Sequence, residues 1–292
     1  MYSFRIMRKI VVPTDFSENA FNALRYASEL FKYEQSEFFL LHAFAEEIYR
    51  SEKDLTENAL KQLKEEVLEA STGQLEKIRK EITERSPNPK HTYKLVSSFG
   101  LLVDEVNDLI NKENADVAVM GTRGKTNDRK KTFGSNTLQV IKYVQSPVLC
   151  IPENFDFGSP QHILFPTNFL LPYQRRELKL VAEIARKFCA KIHLLHISKF
   201  PLSSLRQKEN KLFLKDAFQE IKLESHNRDA FSKEEAINKF IDQNNIDLLV
   251  MVNSRQTYLE TILAPSTIDK ISLNPKVPFL VLQNFSRITD NT

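Results

Sequence analysis

Residues 10–16 read IVVPTDF, and residues 163–169 read ILFPTNF. In both stretches an apolar run that fits a buried strand ends in a Pro-Thr pair, followed by Asp or Asn. The sequence LLH at 40–42 recurs at 194–196, so the offset is 153 for the first pair and 154 for the second. A nearly constant offset between separate motifs indicates that one structural unit is written twice.

The end of the unit is repeated as well. DVAVM at 116–120 recurs as DLLVM at 247–251, and PVLCI at 147–151 recurs as PFLVL at 278–282. Both pairs lie 131 positions apart, so the second copy lacks about 22 residues in its middle.

The length of the chain agrees with two domains, since 292 residues are twice an ordinary domain. We place the first domain at residues 1–152 and the second at 161–284. The linker is predicted at about 153–161, where Gly158 and Pro160 lie.

In each copy, strand-like apolar runs alternate with segments whose apolar residues recur at helical spacing. The predicted strands of the first copy are 9–13, 37–43, 91–97, 116–120 and 147–151, and its predicted helices are 18–32, 53–85, 101–113 and 135–145. The segment 53–85 is one long amphipathic helix, for which a break near Gly73 stays open. The predicted strands of the second copy are 162–166, 191–197, 219–226, 246–252 and 278–282, with helices 172–189, 233–243 and 266–273 and a shortened segment 202–215. Continuous apolar strands separated by helices are typical of a parallel sheet covered on both faces, which predicts the α/β fold class.

Charge and hydropathy argue against several classes of protein. Lys and Arg total 41 against 38 Asp and Glu, and a net charge of +3 gives no general footprint for nucleic acid or membrane. The longest apolar runs are strand-sized, far below the ~20 residues of a membrane span, and we recognise no signal peptide. The cysteines, Cys150 and Cys189, lack metal-ligand spacing, and we expect both to be buried thiols in a reducing cytoplasm.

Three segments of the first copy are expected to meet at the carboxyl ends of the strands, where ligands bind in such sheets. They are Pro13-Thr14-Asp15 after the first strand, His42-Ala43 after the second, and the loop 121–137 after the fourth. Asp15 is placed to hydrogen-bond a ribose hydroxyl or an adenine amine, or alternatively to cap the helix that follows. His42 has either a ligand contact or a structural role.

Glycines punctuate the third segment. Two residues separate Gly121 from Gly124, and nine residues later Gly134 precedes Ser135-Asn136-Thr137 at the start of a predicted helix. Glycines let backbone N–H groups approach an anion, and a helix N-terminus offers unpaired N–H groups, so this loop is suited to phosphate. Ser135 is predicted to be the N-cap of the helix. The alternative is that the glycines are scaffolding of the fold.

Two further features have alternative explanations. The loop 121–137 holds five basic residues, among them Arg123, against one acidic residue, and such charge is also typical of a solvated surface. His193 and His196 have the H-x-x-H spacing of a metal pair. Residues three apart on a strand face opposite sides, so we predict no metal binding by that pair.

These motifs resemble those of the universal stress protein family. Residues 12–17, VPTDFS, match the family's VPxD-x-S segment, and residues 121–136 match its G-2x-G-9x-G-(S/T)-(N/T) loop with the spacing intact. The closing PVLCIP at 147–152 matches as well. The resemblance covers essentially residues 8–152 and 161–284.

The resemblance implies that each copy is a five-stranded, doubly wound domain of the adenine nucleotide α-hydrolase-like type, and that only the first binds ATP with Mg²⁺. Asp15 would contact the adenine–ribose end, and Ala43 and Met120 would line the adenine slot. The glycine loop would hold the ribose and phosphates, with Mg²⁺ on phosphate oxygens rather than on protein side chains. The implied ATP-binding residues are Pro13, Thr14, Asp15, Ala43, Met120, Gly121, Arg123, Gly124, Gly134, Ser135, Asn136 and Thr137.

The resemblance also has implications for assembly. Domains of the family pair through their last strands, so Pro147–Ile151 and Pro278–Leu282 would associate antiparallel within the chain as a pseudo-dimer. Whether two chains assemble further as a homodimer, and which protein partner they meet, stays open at this point.

The second copy departs from the ATP-binding pattern. The replacements are Asn168 for Asp15, Val252 for Gly121, Arg255 for Gly124 and Pro265 for Gly134, with only Ser266 and Thr267 retained. A branched side chain and a proline close a cradle in which glycines approach phosphate, and proline also lacks the N–H donor. We therefore predict that the second domain does not bind ATP.

The leading functional hypothesis is a cytoplasmic, ATP-binding stress-response or signalling protein. Weak ATPase activity stays open, although we recognise no residue pair that would position the attacking water. A nucleotide-independent dimerising adaptor is the alternative from another class. An ATP pyrophosphatase or a nucleotidyltransferase is disfavoured, because the turn after the first strand reads PTDFSE rather than S-G-G-x-D-S and the chain has no H-x-G-H sequence.

Overall fold

A computed structural model describes residues 7–51, 56–123, 133–230, 232–253 and 276–284. The described chain forms two compact units, one up to residue 157 and one from residue 158 onward. Strands and helices alternate in both units, so the predicted α/β fold class is confirmed. Within the described part of the chain, no helix combines the length and the apolar character needed to cross a membrane.

The first unit is a five-stranded parallel sheet with helices between the strands. Its elements are β1 (Arg8–Pro13), α1 (Glu18–Leu30), β2 (Ser36–Ala43), α2 (Ala45–Ser51), α3 (Glu57–Arg85), β3 (His91–Ser98), α4 (Leu102–Glu113), β4 (Val117–Gly121), α5 (Ser135–Tyr143) and β5 (Val148–Ile151). The strand order is β3-β2-β1-β4-β5, and every neighbouring pair is parallel. The order reverses between β1 and β4, and ligands bind at the carboxyl ends of strands at such a switch point.

The second unit repeats this topology. Its elements are β6 (His162–Pro166), α6 (Arg175–Lys187), β7 (Lys191–Ile197), α7 (Leu205–Ala217), β8 (Leu223–Arg228), α8 (Lys233–Gln243), β9 (Leu248–Asn253) and β10 (Phe279–Gln283). The strand order is β10-β9-β6-β7-β8, again with parallel neighbours. The repeat in the sequence is therefore a repeat in the fold.

The central strands form the core of each unit. Ile10, Val11 and Val12 of β1 are at most 1% exposed, and Ile163 and Leu164 of β6 are fully buried. A strand that is covered by helices on both faces needs apolar residues at successive positions rather than at alternate ones. This is why the apolar runs identified the strands.

Three features of the helices go beyond the prediction. α3 is one continuous helix through Gly73, which decides against the break considered there, since a solvated glycine costs a helix only about 1 kcal/mol. The shortened segment is a 13-residue helix, α7, which begins at a capping box between Ser204 and Gln207. The seven-residue α2 was not predicted, since it is too short to show a periodicity. The predicted helix 266–273 lies outside the described residues.

Two predictions about single residues are wrong. Gly134, not Ser135, is the N-cap of α5, and Ser135 is its first helical residue. Cys150 is buried as expected, but Cys189 is exposed, because it follows the end of α6 with a positive φ of 52°. A left-handed residue commonly ends a helix, so Cys189 lies beyond the last turn of α6 and not on its buried face.

Candidate functional site

A cavity of about 280 Å³ opens at the carboxyl ends of β1, β2 and β4, at the switch point of the first unit. Eleven of the twelve predicted site residues line it: Pro13, Thr14, Asp15, Ala43, Met120, Gly121, Arg123, Gly134, Ser135, Asn136 and Thr137. Gly124, the twelfth, and the basic residues after it lie outside the described residues. Four segments that are distant in the sequence thus contribute to one surface.

The turn after β1 is fixed by its own side chains. Thr14 Oγ1 accepts a hydrogen bond from the N–H of Phe16 at 3.0 Å, and Asp15 Oδ1 accepts one from the N–H of Ser17 at 3.1 Å. Phe16 has a φ of 63°, which turns the chain sharply into α1. Ser17 caps α1 by accepting from the N–H of Ala20 at 3.2 Å. The capping role considered for Asp15 therefore belongs to Ser17, and Asp15 lines the cavity.

The end of β4 and the start of α5 are joined directly. The Thr137 hydroxyl donates to the carbonyl oxygen of Gly121 at 3.0 Å, and the N–H of Gly134 donates to the carbonyl oxygen of Thr122 at 2.8 Å. The helix N-terminus is thereby held at the mouth of the cavity. Its N-cap is a glycine, which has no side chain to pair with the N–H groups of the first turn, so these groups need partners from elsewhere.

Positive charge reaches the cavity through Arg123. Its side chain is 19% exposed, and its Nη1 atom lies 3.6 Å from Oε2 of Glu153. A partly buried guanidinium beside an uncapped helix N-terminus favours an anion at this point.

His42 is a structural residue that also lines the cavity. Its Nδ1 atom lies 2.9 Å from the Ser71 hydroxyl and its Nε2 atom 3.2 Å from Oε1 of Glu47. The ring packs against Phe16 with a centroid distance of 4.4 Å. His42 therefore connects β2 to α2 and α3, which supports the structural role over a purely ligand-binding one.

The sequence analysis missed part of the lining. Ala20 and Leu102 add apolar surface, and Glu46 and Glu47 add carboxylates from the first turn of α2. The one signal for these carboxylates is that α2 directly follows the carboxyl end of β2, which brings its first turn to the cavity. The sequence analysis did not predict α2 and so could not use this signal.

The second unit keeps the turn but changes its surroundings. Asn168 Oδ1 accepts from the N–H of Leu170 at 2.9 Å, as Asp15 does from Ser17, and Phe169 has a φ of 58°. The Tyr173 hydroxyl lies 2.5 Å from Thr167 Oγ1 and is buried. The loop that carries this tyrosine has no counterpart in the first unit, where α1 begins immediately after the turn.

The position of Gly121 is also changed in the second unit. Val252 stands there, and this valine is buried in β9. The other replacements, Arg255 and Pro265, lie outside the described residues.

Fold and site together define a tandem α/β protein with two repeated doubly wound domains. The model of the universal stress protein family matches residues 7–152 and 160–283. The chain belongs to this family, which confirms the resemblance seen in the motifs.

Individual relatives cover the chain in different ways. Universal stress protein MJ0577 from Methanocaldococcus jannaschii is 29% identical over 157 residues, which are 49% of this chain and 94% of that protein. A universal stress protein structure from Archaeoglobus fulgidus has a TM-score of 0.68 and covers 94% of this chain and 96% of its own; at 19% identity it shows the fold alone. A universal stress protein solved in complex with cAMP is 19% identical, with a TM-score of 0.34 over 44% of this chain and 100% of its own.

Proposed function

We propose that the first domain binds ATP in the cavity at its switch point, and that the protein is a nucleotide-dependent stress-response or signalling protein of the cytoplasm. The observation that carries this proposal is the convergence of the eleven predicted residues on one cavity. Its volume of about 280 Å³ lies just below the roughly 300–1,000 Å³ typical of ligand sites.

The chemistry of the lining fits the two ends of a nucleotide. The start of α5, whose N-cap is a glycine, and the side chain of Arg123 form a cationic region that suits phosphates. Ala43, Met120 and Leu102 offer the apolar surface that an adenine ring needs. Asp15 accepts hydrogen bonds, and the ribose hydroxyls and the adenine amine are donors. Mg²⁺ would be held by the phosphate oxygens.

We further propose that the second domain does not bind ATP. The Thr167 hydroxyl, whose counterpart Thr14 lines the cavity of the first domain, is paired with Tyr173 inside the fold. Val252 puts a branched side chain where Gly121 has none. Antiparallel pairing of the two domains through β5 and β10 stays a prediction from the family resemblance.

A titration with Mg²⁺-ATP, read for stoichiometry by calorimetry, tests both proposals. We expect one ATP per chain, with binding lost in Gly134→Pro and weakened in Asp15→Ala. Asn168→Ala is the matched control, since it removes the equivalent side chain from the second domain, and we expect it to bind as the parent does.

Three outcomes would contradict these proposals. Two ATP molecules per chain would overturn the proposal for the second domain. No binding at millimolar ATP would overturn nucleotide binding and favour the adaptor. Equal losses of ATP affinity in Asp15→Ala and Asn168→Ala would contradict the assignment of the ATP site to the first domain.

A further inference from the structure

Three histidines lie side by side on three adjacent strands of the second domain. His162 Nδ1 is 3.0 Å from His193 Nε2, and His193 Nδ1 is 3.0 Å from His226 Nε2. They come from β6, β7 and β8, which are neighbours in the sheet. The row lies away from the carboxyl ends of these strands, since His162 is the first residue of β6.

A carboxylate joins this row. Glu224 Oε2 lies 3.5 Å from His193 Nδ1 and 3.8 Å from His226 Nε2. Two imidazole nitrogens and one carboxylate oxygen therefore lie close together, with separations of 3.0, 3.5 and 3.8 Å. Ligand atoms around a tetrahedral Zn²⁺, at metal distances of about 2.0–2.2 Å, are roughly 3.4 Å apart.

We propose that His193, His226 and Glu224 form a binding site for a divalent transition-metal ion, with Zn²⁺ as the best-suited metal. Imidazole and carboxylate ligands suit this class of ion, and two histidines with one glutamate are a known zinc ligand set. No property of the ATP cavity enters this proposal.

His162 would not bind the metal itself, but it lies where a hydrogen bond can orient the ring of His193. With the metal on Nδ1 of His193, the ring proton resides on Nε2 and is donated to Nδ1 of His162 at 3.0 Å. Such an outer hydrogen bond fixes the tautomer of a metal-bound histidine. The ring of Phe240 packs on His193 and His226 at centroid distances of 5.8 and 4.9 Å and restricts both rings.

One side of the proposed metal site is buried, and the other side is open to solvent. His193 is buried, and its ring packs against the ring of Phe240. The side chains of His226 and Glu224 are 20% and 50% exposed, so an ion can enter from solvent. Lys191 pairs with Glu224 at 3.3 Å and competes with the ion for this carboxylate.

The fold does not require these histidines. At the repeat offsets, Lys9 of the first domain corresponds to His162, and Phe39 corresponds to His193. The registers of β2 with β3 and of β7 with β8 place Val96 opposite Leu41 and His226 opposite Leu195, so Val96 corresponds to His226. The first domain therefore builds the same sheet with aliphatic, aromatic and lysine side chains at these positions.

The H-x-x-H pair considered in the sequence is a different set. His196 contacts the carbonyl oxygen of Thr167 and the ring of Phe169, away from the Phe240 side on which His193 lies. The two histidines therefore have different neighbours, as expected for residues three apart on a strand. The partners of His193 are His226 and Glu224, more than 30 residues further along the chain.

Equilibrium dialysis of the full chain against Zn²⁺, without nucleotide, tests the proposal. We expect one tightly bound Zn²⁺ per chain, and at least a tenfold loss of affinity in Glu224→Gln and in His226→Gln. Glu209→Gln, on exposed α7, is the matched control and should bind as the parent does. Lys191→Met should bind Zn²⁺ more tightly, because it removes the competing cation.

A second measurement uses the unaltered protein, so that it does not depend on the folding of a variant. X-ray absorption at the zinc edge should show nitrogen and oxygen ligands, together with scattering from the more distant ring atoms of two imidazoles. The proposal is overturned by an absence of saturable binding, by equal affinity in the parent, Glu224→Gln and His226→Gln, or by sulfur or a single imidazole in the absorption spectrum.

Discussion

The side-chain amide of Asn19 lies where a side chain on Gly121 would have to go. Asn19 Nδ2 donates a hydrogen bond to the carbonyl oxygen of Arg123 at 2.8 Å, and a Cβ built on Gly121 would lie 2.5 Å from the same nitrogen. Glycine at position 121 is therefore explained by packing within the domain: it lets α1 hold the loop that leaves β4.

Gly121→Ala tests this relationship. The added methyl group displaces the Asn19 amide and breaks its bond to Arg123, so we expect a loss of about 1 kcal/mol in the free energy of unfolding. We also expect at least a tenfold loss of ATP affinity, since the displaced loop lines the cavity. Urea unfolding and calorimetry measure the two effects. Gly158→Ala is the control, because nothing lies within 4 Å of a Cβ built there, and it should change neither quantity.

Arg123→Met separates the phosphate end of the site from the adenine end. If this guanidinium faces the phosphates, the variant should bind ATP about tenfold more weakly, a difference of roughly 1.4 kcal/mol, and adenosine almost unchanged. Arg25→Met is the control, since Arg25 pairs with Asp156 at 2.8 Å beside a separate groove. An equal loss for ATP and adenosine would show that Arg123 supports the cavity without facing phosphate.

Glu177 makes the stability of the second domain depend on pH. Burial is the main cause that raises the pKa of this carboxyl from 4.5 to about 7, and its Oε1 atom has no hydrogen-bond partner among the described residues. Between these two values the folded domain holds a proton that the unfolded chain releases. Stability therefore falls as the pH rises through this window, by about 3 kcal/mol at most, and stays low above it.

Glu177→Gln removes the titrating group and keeps the size of the side chain. We expect its free energy of unfolding to exceed that of the parent at pH 8, and to be similar to it at pH 4.5. Urea unfolding at both pH values measures this difference. Glu209→Gln is exposed and should follow the parent throughout. A constant difference between Glu177→Gln and the parent at both pH values would contradict the assigned pKa.

Local patterns predicted most of the secondary structure, and the reason is the burial of the central strands. β7 and α8 have the predicted boundaries, and the alternation of strands and helices predicted the α/β fold class. Short or solvated elements lack such a pattern, so α2 was missed and the continuity of α3 at Gly73 stayed open until the structure was known.

The candidate site was predictable for the same reason that the fold was. Pro13, Ala43 and Gly134 belong to segments that leave parallel strands or enter the following helix, and parallel strands end at one edge of the sheet. The carboxylates of α2 were not predictable, because their approach to the cavity depends on how α2 leaves β2.

The sequence by itself determined the repeat, the class of fold and the edge of the sheet at which three motif segments meet, because each depends on spacing along the chain. The tertiary structure alone decided which side chains share a point in space. Asn19 meets the carbonyl of Arg123 across 104 positions, and His193 meets His226 across 33. Such contacts depend on strand register and helix placement, and these cannot be predicted from the spacing of residues along the chain.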